Sequence, residues 1–85
     1  MARIKVVEPM NVHTKNSVYR VEPICDGGAV LYKATKIETI KPSKQVSVEE
    51  SITGRDVYLE LGHRMILGRI HTSSVVAVEY IEPHH

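Results

Sequence analysis

Along the stretch from Asp56 to Glu82, apolar and polar side chains alternate in short runs, and the rest of the chain is organised around it. Val57, Leu59 and Leu61 alternate with Tyr58 and Glu60, the period of a half-buried strand. Gly62-His63 breaks the run and Met65-Ile66-Leu67 resumes it. Gly68-Arg69 fits a type II′ hairpin turn, because glycine takes positive φ at the first central position without strain. Ile70 leads into Thr72-Ser73-Ser74, read as a polar break. From Val75 to Ile81 the chain is apolar on both sides: Val76, Val78 and Tyr80 on one, Val75, Ala77 and Ile81 on the other. A strand apolar on both faces is covered on both, so this segment is expected to be central, with Val76, Val78 and Tyr80 lining the core.

The earlier part of the chain repeats the theme. Arg3 to Glu8 is expected to be a strand with Ile4 and Val6 inward, followed by a short extended piece from Met10 to Thr14. Lys15-Asn16 reads as a turn, since Asn tolerates the left-handed region. Ser17 to Glu22 is a strand with Tyr19 and Val21 on one face. Asp26-Gly27-Gly28 is the strongest turn signal and leads into Ala29 to Ile37, where Val30, Tyr32 and Ala34 share a face. Thr39 to Gln45 reads as a loop. Ser47-Val48-Glu49-Glu50 fits a capping box opening a short helix, and VSVEESI fits a further strand equally well. The four prolines, 9, 23, 42 and 83, each follow an apolar-rich segment and a charge, as strand punctuation; their unequal spacing argues against an internal repeat.

Composition supports this pattern. With 85 residues, no Trp, no Phe and abundant Val and Ile, the chain reads as one small all-β domain, spanning 1–85. About six strands with turns every 8–12 residues or so fit a small antiparallel barrel or a sandwich of SH3- or OB-like size. The net charge of +1 makes no electrostatic case for nucleic acid or an anionic membrane. The single cysteine, Cys25, forms no internal disulfide, and MARIKVVEP has no apolar leader core, so a cytoplasmic location is expected. His84-His85 fits a natural end or a purification tag and is set aside.

Two short words carry a resemblance. Thr14-Lys15-Asn16-Ser17-Val18-Tyr19 and the later Thr72-Ser73-Ser74-Val75 resemble a T-x-N-S-x-Y and T-S-x-V pairing found in scattered small β-rich bacterial and phage proteins. The resemblance covers about a sixth of the chain and implies a two-hairpin β fold, with no activity, ligand or cofactor attached.

Four constellations are candidates for chemistry. His13, His63 and His71 are donors of the right type for zinc, but neither their spacing nor a cysteine pair supports a site, and solvated strand-edge histidines are the plainer reading. Cys25 lacks a neighbouring base, so a half-buried thiol at a strand end is favoured over a nucleophile. No catalytic residue, metal or cofactor is assigned. Lys33, Lys36, Lys41 and Lys44, with Tyr58 as an exposed ring, form a candidate nucleic-acid surface, though a charged edge that deters strand addition explains the lysines as well. Tyr19, Tyr32 and Tyr80 fall in phase with apolar positions and read as core rings.

The fourth constellation is apolar. A small barrel has one inside, and Val75, Ala77, Ile81, Ile66, Leu31 and Val18, together with Val7, are expected on reverse faces. Such a surplus implies association. The expectation is a non-enzymatic module acting through protein contacts, with itself or another protein as partner and nucleic acid as the alternative.

Overall fold

The glycine turns form as their residue types require. Gly27 and Gly28 both take positive φ (57° and 87°), so Asp26 pairs with Ala29 across a two-residue hairpin. Gly68 takes φ 57° while Arg69 stays negative, the type II′ pattern, and Leu67 pairs with Ile70. The computed structural model describes residues 3–40 and 49–81, the Asp26 side chain excepted. Among these residues there are strands and turns and no helix.

The strands are β1 (Met10–Thr14), β2 (Ser17–Asp26), β3 (Ala29–Thr39), β4 (Ser51–Gly54), β5 (Val57–Tyr58), β6 (Arg64–Leu67) and β7 (Ile70–Tyr80). They form one antiparallel sheet in the order β4-β3-β2-β1-β7-β6-β5. The sheet curls into a half-barrel, and three register shifts help it do so, because a bulge locally increases twist and bend. The two ends of the curl meet at Gly54 and Gly68. A Cβ on Gly54 would lie 3.0 Å from the Gly68 nitrogen and 3.3 Å from Leu67 Cδ2, so only a residue without a side chain allows this approach.

The concave side holds the core. Met10 and Val12 from β1, Val21 from β2, Ala34 from β3, Met65 and Leu67 from β6 and Leu59 are all fully buried. Residues 3–8 do not join the sheet. Ile4 N–H donates to the Leu59 carbonyl at 2.7 Å, and Val6 is buried, so the inward side chains are as expected while the ladder is missing. Alternation sets which side chains face in; a ladder also needs a neighbouring edge in register.

The last strand departs most from expectation. β7 runs unbroken from Ile70 to Tyr80, through the three polar residues. Thr72 Oγ1 accepts from the Met65 N–H at 3.0 Å and donates to the Ser73 carbonyl, so it satisfies a donor where the β6–β7 register slips. Opposite β1, Thr14 pairs with Val75 and His13 with Ala77, which leaves Val76 as the extra residue of a bulge. The bulge resets the phase. Val75 and Val78, three apart, both pack on the core, while Val76 is 56% exposed and Tyr80 51%. β7 is interior, bonded to β1 and β6, but its outer face is open, and the middle position belongs to β1.

Two other expectations change and one open alternative is decided. β2 continues through Pro23 to Asp26, because β1 stops pairing at Val21 and no ladder on that side needs the missing N–H. Residues 51–54 form β4, the strand that VSVEESI fitted as well as a helix; Ser47 and Val48 of the proposed cap lie outside the described residues, as do Lys41, Lys44 and His84-His85. The Lys15-Asn16 turn uses no positive φ; Thr14 Oγ1 closes it, accepting from Ser17 N–H at 3.0 Å and donating to Ser17 O at 2.8 Å. No helix among the described residues is long and apolar enough to cross a membrane.

Candidate association site

The inward alternation of β2 and β3 does not stop where the core stops. Val21 pairs with Ala34, Pro23 with Tyr32 and Cys25 with Val30, and these alternate pairs share the concave face. Val21 and Ala34 are fully buried, Pro23 and Tyr32 half-buried, Cys25 exposed and Val30 49% exposed. The strip thus runs from a finished core into open space. The cause is strand length. β1 reaches no further than Val21 on one side, and β4 ends opposite Tyr32 on the other.

Beyond those limits the chain is a two-stranded ribbon, Ile24 to Leu31, closed by Gly27-Gly28. No atom of a neighbouring segment lies within 4 Å of where a Cβ would sit on either glycine. The convex side of the ribbon carries Ile24 opposite Leu31, both half-buried. A lone two-stranded ribbon is marginal in water, and this one is apolar on both faces. Val7, 72% exposed, lines the same shallow depression as Tyr32 and extends the apolar surface at the base of the ribbon.

The residues expected to form an interface are placed as follows. Val75 and Val18 are buried in their own chain, at 1% and 5% exposure, and cannot meet a partner. The physical reason for Val75 is the bulge; Val18 is out of phase with Tyr19 and Val21 and is buried without joining the core cluster. Ala77 and Ile66 are exposed, and Leu31 and Ile81 half-buried. They do not form one patch in the sheet, since Leu31 is on β3 and Ile66 on β6, four strands apart in the order. Only Leu31 belongs to the ribbon. What sequence reading missed was the strip Pro23, Cys25, Val30 and Tyr32. The signal was present, because the alternation continues across Pro23 to the Gly-Gly turn.

The polar candidates separate as well. Lys36 is buried at 1% exposure beside Tyr19, its register partner, so it presents no charge to a phosphate. Lys33 lies 3.9 Å from Glu22. Tyr58 is half-buried beneath Arg3, whose guanidinium sits 5.0 Å from the ring centroid. Tyr19 is a core ring, and burial pushes its phenol above the ordinary value. His13 contacts Glu79 at 3.5 Å, His63 contacts the nearly buried Glu60 at 2.8 Å, and His71 lies on β7. No group of three potential ligands converges among the described residues. Cys25 is an exposed free thiol on the ribbon.

The two sequence words of the resemblance are adjacent in space. Lys15 N–H donates to Ser74 O at 3.1 Å and Asn16 N–H to Ser73 Oγ at 3.0 Å, so the later word holds the turn of the earlier one. Comparison with protein-family models, curated proteins and solved structures gave no match.

Proposed function

We propose that this chain is a non-enzymatic association module, and that its β2–β3 ribbon packs face to face against the same ribbon of a second copy. The observation that carries this reading is the core strip running past its cover onto Cys25 and Val30. A second copy supplies the missing layer by a two-fold axis, the commonest symmetry of soluble assemblies. Contact through the face is favoured over contact through the edge, because Pro23 lacks the N–H that an added strand would need. A stable contact buries about 800 Å² per partner. The tip alone is too small for that, so the surface includes Val7 and the half-buried Pro23 of the same strip.

Light scattering on a sizing column tests the reading. The chain should run as a dimer at high micromolar concentration, and Val30→Asp should convert it to a monomer whose unfolding midpoint matches that of the dilute, dissociated wild-type chain. Mild oxidation should link two copies through Cys25 in the native state and far more slowly in denaturant. A monomer at every concentration would sink the proposal, as would a dimer indifferent to Val30→Asp.

A further inference from the structure

Beside the base of the ribbon two shallow depressions share a wall. One is lined by Lys5, Arg3 and Tyr32, the other by Arg55 and Tyr58, and both by Arg3 and Asp56. Together they form a groove with three cations against one carboxylate. None of Lys5, Arg3 and Arg55 is ion-paired with a carboxylate among the described residues. No carboxylate among the described residues takes up this charge, unlike that of Lys33 or Arg69, which contact Glu22 and Glu50.

Arg3 is held in place. Its Nη2 donates to the Val57 carbonyl at 3.2 Å and its plane lies over Tyr58, which His63 meets edge-on at 6.4 Å between centroids. An ordered, exposed guanidinium is a flat cation on which a nucleobase can stack, and its fork matches a phosphate. Tyr32, half-buried at the other end of the groove, offers a second ring.

We infer that this groove binds single-stranded nucleic acid, with phosphates at Lys5, Arg3 and Arg55 and bases against the Arg3–Tyr58 pair and Tyr32. Single strands suit it because spaced aromatic surfaces flanked by cations bind unpaired bases without reading sequence. An acidic peptide shares the charge complementarity but has no use for the rings. The site is distinct from the lysine segment 33–44 and borders the ribbon contact, since Val7 lines the same depression as Lys5 and Tyr32.

The test is anisotropy of a labelled oligothymidylate titrated with the full chain. Three neutralised phosphates predict a log–log salt slope of about −2, so a fourfold rise in salt weakens binding roughly twentyfold. Arg3→Ala with Arg55→Ala should cost at least tenfold and flatten the slope. Tyr58→Leu should cost about tenfold at unchanged slope, by loss of stacking. Arg3→Lys should keep the slope and lose affinity, which separates the planar group from its charge. Lys15→Ala, outside the groove, should change nothing, and thermal melts confirm that each variant is folded. The inference is overturned by absence of binding at low salt, by equal losses in Lys15→Ala and the arginine variants, or by polyglutamate competing as well as the oligonucleotide.

Discussion

The two hairpins that bracket β2 have opposite fates. At Lys15-Asn16 the turn is enclosed: Thr14 Oγ1 closes it, Ser73 and Ser74 accept its N–H groups, and Ile40 N–H donates to the Asn16 carbonyl at 2.7 Å. At Gly27-Gly28 the turn is made by two glycines at positive φ, and among the described residues nothing lies within 4 Å of where a Cβ on either would sit. The first is built from side-chain and long-range hydrogen bonds, so it exists only in the finished fold. The second is local and needs no fold around it. A turn that asks nothing of its surroundings can be sent out from the core, and its strands carry apolar residues there.

Substitutions can break or sharpen this contrast. The largest expected effect on stability is at the enclosed turn. Thr14→Val strands a buried N–H and should cost about 2 kcal/mol in urea denaturation, with the monomer–dimer balance unchanged. Gly54→Ala, at the seam where the curl closes and the ribbon begins, should cost about 1–2 kcal/mol, because backbone stands 3.0 Å from the new methyl. At the open turn, Gly28→Ala should cost about 1 kcal/mol through the 87° φ alone, and Gly28→Asn should recover most of it. If Gly28→Ala proves costlier than Thr14→Val, the contrast is wrong.

Two subtler measurements refine it. Hydrogen exchange should show the Lys15 and Asn16 amides protected at all concentrations, with those around Gly27-Gly28 slowing only as the chain associates. The pH dependence reports the core beneath β2. Tyr19 has its phenol raised by burial from 10.0, so the unfolded chain ionises first. Its contribution to stability is constant below 10.0 and is lost as pH climbs through the raised folded value. Absorbance titration should show a late step from Tyr19, which Tyr19→Phe should remove.

What the sequence reveals follows from the range of the forces involved. The Gly27-Gly28 and Gly68-Arg69 turns were legible because positive φ is a property of single residues. The inward set Met10, Tyr19, Val21 and Ala34 belongs to segments where alternation is unbroken and a neighbouring strand matches it. Val75 was misassigned because its direction depends on an extra residue opposite Thr14, and a bulge is defined only by the partner strand. Lys36 continues the alternation of Val30, Tyr32 and Ala34, but its charge argued for the surface. The ribbon strip was written in the chain but hidden by Pro23, which closes a strand only if a neighbour wants its N–H.

β1 sits between β2, which follows it at once, and β7, whose contacts with it reach across 66 residues, as from His13 to Glu79. During synthesis the β1–β2–β3 meander can assemble from local pairings, yet one flank of β1 waits for nearly the whole chain to emerge. Long-range closure of this kind is slow, and a waiting flank invites the wrong neighbour. Nascent chains crowded on one message would therefore be most vulnerable at Met10–Thr14, a strand that in the mature protein is among the best shielded.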